Sequence, residues 1–175
     1  MVQRFPYQRG VVKYECWCDA NHAGCIRTRK STSGGAFMLG KCCVRHYAKG
    51  QGVIALSSGE AEFYGLITAI ANALGDVALA KDWGVRLEPL IHMDATAGIA
   101  IGSRRGLGRV KHIDTIYLWV QEVINQGRVR VDKKSTHEML ADVCTKAVVE
   151  SKMNLMTSRM GFVYREGRHQ MSLQS

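Results

Sequence analysis

Four carboxylates stand in four distinct settings along this chain, and their placement limits the fold more than any other feature. Asp19 closes the run Cys16-Trp17-Cys18-Asp19, and Asp94 closes Ile91-His92-Met93-Asp94; both runs are apolar and strand-like. Glu62, in Ser57-Ser58-Gly59-Glu60-Ala61-Glu62-Phe63, and Asp142, in Leu140-Ala141-Asp142-Val143-Cys144-Thr145-Lys146, open helical patterns. Carboxylates gathered at strand ends and helix starts can hold hard divalent cations, because Mg²⁺ takes oxygen ligands and binds through a few carboxylates plus substrate phosphates. Two such ions about 3.5–4 Å apart can clamp the attacking and leaving oxygens of a phosphodiester. Taken singly, Asp19 and Asp94 read equally well as strand-end caps, and Glu62 and Asp142 as surface charges.

The segments between these acids alternate in period. From Val11 to Asp19, Tyr14, Cys16 and Cys18 alternate with Glu15, Trp17 and Asp19, which predicts a strand. Asn21–Ser33 is a polar, basic loop, and Gly34–Leu39 with Cys42–Ala48 form a hairpin about Gly40-Lys41. Ser57 with Glu60 three residues on is a capping-box pattern. It opens a helix to Trp83, whose Phe63, Leu66, Ile67, Ile70, Leu74, Val77 and Ala78 recur at helical spacing. Leu87–Met93 is a second buried strand. A short helix over Ala95–Ile101 and a Gly/Arg loop over Gly102–Gly108 follow, then a helix over Lys111–Asn125. Arg128–Asp132 alternates basic residues with Val, as a half-wet edge strand does. Ser135 with Glu138 is a second capping-box pattern, for a helix carrying Leu140, Val143 and Cys144 inward, ahead of a Leu155/Met156/Met160 stretch that ends at Gly161. Trp17 and Trp83 read as core and Trp119 as surface. The order predicts an α/β domain with a five-stranded mixed sheet, antiparallel over its first three strands and parallel thereafter, flanked by helices.

With 175 residues the chain is one domain, and 46% hydrophobic residues supply a core. The net charge of +9 points to a polyanionic partner. Six cysteines include no C-x-x-C pair, so they read as reduced, buried thiols of an intracellular protein, cytoplasmic or nuclear. A zinc module built on Cys16, Cys18, Cys25 and Cys42 is the alternative. Met1–Gly10 has no apolar signal core, and no apolar run reads as the ~20 residues of a membrane span, so no membrane partner is expected.

Five blocks carry a resemblance. Cys18-Asp19-Ala20-Asn21-His22-Ala23-Gly24-Cys25 with Thr28-Arg29-Lys30-Ser31-Thr32-Ser33-Gly34, then Ala55–Phe63, His92–Ile99, Lys111-His112-Ile113-Asp114 and Leu140–Lys146, resemble in order the ribonuclease H domain of copia-type LTR retrotransposon Pol polyproteins. The likeness runs from about Tyr14 to Gly161 and implies a ribonuclease H-like domain over residues 11–161. Residues 1–10 would be an N-terminal extension and 162–175 a disordered tail. It implies an endoribonuclease that cleaves the RNA strand of an RNA–DNA hybrid during reverse transcription, with a reverse transcriptase domain of the same polyprotein as a partner. Asp19, Glu62, Asp94 and Asp142 would be the catalytic, metal-binding carboxylates. Asp19 would bridge two Mg²⁺ ions, with Mn²⁺ as a substitute. The hybrid would be gripped by Arg27, Arg29, Lys30, Ser57, Ser58, Arg104, Arg105, Arg109, Lys111 and His112. His137, five residues before Asp142, is a candidate proton shuttle.

Three departures stand out. The family's Asp-Ala-Asp-Trp is Asp19-Ala20-Asn21-His22 here, Ala95-Thr96 replaces Asn-Gln after the third acid, and Ala147 replaces the Pro after Thr145-Lys146. The alternative function is therefore a catalytically degenerate, nucleic-acid-binding remnant of such a polyprotein. A related-fold integrase or Holliday-junction resolvase is a further alternative.

Overall fold

The computed structural model describes residues 1–10, 13–94 and 114–165. Its elements in chain order are β1 (Val2–Gln3), β2 (Tyr14–Asn21), β3 (Thr32–Leu39), β4 (Cys42–Gly50), α1 (Ser58–Asp82), β5 (Pro89–Met93), α2 (Asp114–Asn125), β6 (Arg130–Lys133), α3 (Asp142–Thr145), α4 (Glu150–Arg159) and β7 (Phe162–Val163). Five strands form one sheet in the order β4-β3-β2-β5-β6. The β2/β3 and β3/β4 pairs are antiparallel, and β5 lies parallel to both β2 and β6. This is the mixed sheet that the alternation of periods predicts. The helix expected over Ala95–Ile101, the loop over Gly102–Gly108 and the start of the helix at Lys111 lie outside the described residues.

Alternation along β2 divides the core. Tyr14, Cys16 and Cys18 face α1 and pack with Phe37, Phe63, Leu66, Ile70, Ile91 and Val120. Trp17 faces the opposite side and packs with Met38, Met139, Leu140, Met156 and Met160. Each large side chain buried this way contributes about 1.5–3 kcal/mol relative to exposure. The capping box of α1 forms as expected at Ser57, whose hydroxyl accepts from the Glu60 N–H at 3.1 Å; the Glu60 carboxylate accepts in turn from the Leu56 N–H at 2.8 Å. With 25 residues, most of them apolar, α1 has the length and composition to cross a membrane, contrary to the sequence expectation. In the fold its stripe of Phe63, Leu66, Ala69, Ile70 and Ala73 lies buried against the sheet.

Other expectations need correction. Trp83 is 74% exposed, because it caps the C-terminus of α1 beyond the last buried turn. Trp119 packs partly against the α1-side core. No helix starts at Ser135. The Glu138 N–H bonds the Ser135 carbonyl in a tight turn, and the helix is a single turn that begins only at Asp142. The chain then breaks before α4. Near the two ends of the described chain, Val2 aligns with Val163 and Gln3 with Phe162, antiparallel. Gly161, at φ +83, turns the chain out of α4 toward this pairing, and a Cβ there would sit 2.9 Å from the Arg4 carbonyl.

Candidate metal centre

Parallel pairing of β2 with β5 sets the geometry. The two strands run side by side in the same direction, so Asp19 near the end of β2 and Asp94 just after β5 emerge at one edge of the sheet. Glu62, on the second turn of α1, reaches the same edge. One ligand oxygen each from Asp19, Glu62 and Asp94 lies within 4.8 Å of the others. Among the described residues no other group of three or more His, Cys, Asp or Glu side chains comes together in this way. Cys16, Cys18 and Cys42 are buried thiols and Cys25 is apart from them, so the four-cysteine alternative is not formed.

Asp142 is brought to the same neighbourhood by a different device. The single turn α3 lies directly on β3, where Gly34 is the cross-strand partner of Asp19. A Cβ at Gly34 would stand 2.5 Å from Thr145 Cγ2 and 2.8 Å from Cys144 Cβ, so only glycine permits this approach. Contact at that point lets the buried Thr145 hydroxyl donate to Asp19 Oδ2. Asn21 donates to the Thr145 carbonyl at 3.3 Å and ties β2 to α3. Asp142 itself is fully buried, and its two oxygens face ammonium groups. Lys146 Nζ is 2.8 Å from Oδ1, and Lys152 Nζ, from α4, binds Oδ2. Lys146 Nζ also lies 3.6 Å from Asp19 Oδ2, so it spans the two acids.

Burial and like charge raise the proton affinity of Glu62 and Asp19. Burial, then the charges of Asp19 and Asp94, push Glu62 up to about 8, against the pull of the Ala20 N–H and Lys146. Asp19 is raised first by burial and further by Asp142 and Asp94, while the Thr145 hydroxyl and Lys146 oppose the shift. Burial works against the charge on Lys146, but its bond to Asp142 and the charges of Asp19 and Asp94 outweigh it and raise the ammonium's pKa. Such mutual repulsion is what an added cation would relieve.

The expected nucleic-acid contacts fall into three groups. Arg27 and Arg29 are exposed on the loop between β2 and β3, which leaves the sheet just beyond Asp19. Lys30 is half-buried, its ammonium donating to the Gly52 carbonyl at 2.9 Å, and His22 contacts the Ala55 carbonyl at 3.2 Å; these bonds fasten that loop to the one preceding α1. Ser57 caps α1, and Ser58 is exposed at its first position. Arg104, Arg105, Arg109, Lys111 and His112 lie outside the described residues. His137 is exposed, one residue from Thr136, whose hydroxyl donates to Asp94 Oδ2 at 3.1 Å.

Sequence reasoning missed Thr136, Thr145, Lys146 and Lys152 as members of this centre. Thr145 and Lys146 sit three and four residues after Asp142, the spacing at which side chains share a helix face. Thr136 and Lys152 carry no comparable signal, because the tight turn and the break before α4 bring them in.

No family model matches the chain. It is 29% identical over 147 residues, 83% of its length, to the retrovirus-related Pol polyprotein from transposon TNT 1-94 of Nicotiana tabacum, and that stretch spans 11% of the polyprotein. Among solved structures it resembles the N-terminal ribonuclease H domain of a Mycobacterium tuberculosis protein, with TM-score 0.57, 16% identity and coverage of 84% of this chain and 97% of that one. It also resembles LC11 ribonuclease H1 in complex with an RNA/DNA hybrid, with TM-score 0.53, 14% identity and coverage of 76% and 94%. The fold is thus that of ribonuclease H, and the homologues of this chain are retrovirus-related Pol polyproteins from plant transposons.

Proposed function

We propose that the chain is a metal-dependent endoribonuclease that hydrolyses the RNA strand of an RNA–DNA hybrid as one part of retroelement reverse transcription. The observation that carries this is the convergence of Asp19, Glu62 and Asp94 within 4.8 Å at the edge where β2 and β5 end. The donor set suits a hard cation, being all carboxylate. Bound there, Mg²⁺, or Mn²⁺ in its place, would supply a water of lowered pKa as nucleophile and stabilise charge on the leaving 3′ oxygen.

The protein's own groups prepare that chemistry. The Thr145 hydroxyl fixes one oxygen of Asp19, and the Thr136 hydroxyl fixes one oxygen of Asp94. The Ala20 N–H orients Glu62. Asp142 is the fourth acid, and with it the donor set is large enough for the two ions of a phosphodiester clamp. Arg27 and Arg29 would meet hybrid phosphates, together with the basic run of Arg104, Arg105, Arg109, Lys111 and His112. The backbone at Ser57 and Ser58 would approach the minor groove, where 2′-hydroxyls distinguish RNA from DNA. The chain spans about a tenth of the length of the polyproteins it matches, so a reverse transcriptase domain of the same polyprotein is the natural partner.

The test is cleavage of an RNA–DNA hybrid with Mg²⁺ or Mn²⁺, run beside a binding assay. Wild type should cut the RNA strand only with metal, and Asp19→Asn or Asp94→Asn should abolish cutting while circular dichroism stays native. Wild-type rates in either variant would end the metal-centre reading. Tight binding by wild type without cleavage would select a degenerate nucleic-acid binder instead.

A further inference from the structure

The fourth acid differs from the other three in what surrounds it. Asp19, Glu62 and Asp94 face one another, whereas both oxygens of Asp142 are met by ammonium groups. Lys146 reaches Asp142 Oδ1 at 2.8 Å and Asp19 Oδ2 at 3.6 Å, so a positive charge already sits between the two acids that a second cation would have to share. Lys152 holds the other oxygen of Asp142 and also donates to the Thr136 carbonyl at 2.9 Å. The hydroxyl of that same Thr136 is bound to Asp94. Lys152 therefore secures both the fourth acid and the turn that steadies the third. Four carboxylates against two ammonium groups leave a formal excess of two negative charges, the charge of a single divalent cation.

We propose that Lys146 and Lys152 are built-in counter-cations of Asp142, so that the free protein loads one divalent ion at Asp19, Glu62 and Asp94 and admits a second only where these lysines give way. The proposal rests on the metal-centre reading and deepens it. Lys146 and Lys152 act as positioning residues; neither needs to touch substrate. An ammonium at the Asp19–Asp142 gap satisfies the buried fourth acid in the absence of nucleic acid, when a bare carboxylate buried there would be costly. It also makes occupancy of the second position depend on whatever draws the lysines away, and a polyanionic substrate has the right charge to do so.

Metal counting on the 175-residue protein without nucleic acid tests this directly, by Mn²⁺ titration calorimetry and by the free-Mn²⁺ electron paramagnetic resonance signal. Wild type should bind one Mn²⁺ per chain, and Lys146→Met/Lys152→Met should bind two. Lys152→Arg, which keeps the charge, should bind one. Thermal melts supply a second reading: Mn²⁺ should raise the melting temperature of the double variant more than that of wild type, because the added ion replaces the lost positive charge. Lys152→Gln, a milder change, should show the same direction should the double variant fail to fold without metal. Two ions of comparable affinity on wild type, one ion on a folded double variant, or equal Mn²⁺ shifts in all proteins would each overturn the role of the lysines. No ion on wild type would defeat the metal-centre reading itself, an outcome distinct from the other three.

Discussion

Gly34→Ala tests whether the site depends on the close approach of α3 to β3. The new Cβ would meet Thr145 Cγ2 at 2.5 Å, Cys144 Cβ at 2.8 Å and the Ala141 carbonyl at 3.2 Å. The first two distances cannot be tolerated, and neither atom is the far end of a flexible chain, so α3 must move off the sheet. Overpacking of this kind costs about 1–3 kcal/mol. Reduced chain entropy in the unfolded state offsets part of that, as replacing Gly by Ala stabilises by about 0.4–1 kcal/mol where the backbone allows. In a chain of this size a net loss of about 1–2 kcal/mol corresponds to a fall in Tm of about 2–8 °C. The effect on the site should exceed the effect on the fold. Moving α3 withdraws the Thr145 hydroxyl from Asp19 and shifts Asp142 with it. Mn²⁺ titration should show weakened binding, and cleavage should fall further than stability does. Gly34→Ala/Thr145→Ser removes the nearest clashing methyl and keeps the hydroxyl, so it should recover part of both losses; such coupling is expected between residues in contact. Wild-type Tm and wild-type metal affinity in Gly34→Ala would refute the claim that this glycine seats the site.

Two further outcomes follow from charge. Glu62 has a folded-state pKa of about 8, raised above its ordinary 4.5, so between those values the folded chain binds the extra proton and the unfolded chain does not. Metal-free stability should therefore fall as pH rises from about 4.5 through 8; Asp19, also raised, adds in the same direction. Saturating Mg²⁺ should flatten the slope, and urea melts from pH 5 to 8.5 with and without Mg²⁺ that give parallel slopes would contradict the assigned site. Arg27→Ala/Arg29→Ala should weaken hybrid binding and shallow its dependence on salt concentration by up to about two counterions, since each phosphate contact contributes about 0.9 to the log–log slope; an unchanged slope would remove the loop from the interface.

Residues whose role depends on period were legible in the sequence, and residues whose role depends on a break were not. Tyr14, Cys16 and Cys18 alternate with Trp17 and Asp19, so the face each would take could be read from a two-residue repeat, and the structure divides them that way. Phe63, Leu66 and Ile70 follow from a helical repeat in the same manner. The parallel neighbourhood of β2 and β5 followed from a helical crossover between two apolar strands, and it alone brings Asp19 beside Asp94. Ser135 with Glu138 shows the limit. The pair has the spacing of a capping box, but the turn around it is held by Lys152 binding the Thr136 carbonyl and Arg159 binding the Glu138 carbonyl, both from a helix that comes later in the chain. A local pattern lost to contacts that no local window contains.

The same limit explains why Asp142 looked like an equal of the other three acids. Its block in the sequence names the acid and the lysine four residues on, a spacing that usually marks a solvated pair worth a few tenths of a kcal/mol. Here the carboxylate is wholly buried, Lys146 leans across to Asp19, and a second lysine arrives from α4. Burial changes the meaning of the pair: removing both lysines would leave an uncompensated buried carboxylate, at a cost below the ~3–5 kcal/mol of fully buried ion pairs because the ammonium groups keep part of their exposure to screening solvent. A free choice between lysine and metal as the partner of Asp142 is thereby closed unless something supplies the missing negative charge to the lysines. If the proposed function holds, hybrid phosphates would be the groups able to do so, and second-ion entry would then depend on substrate arrival because of where two ammonium groups sit.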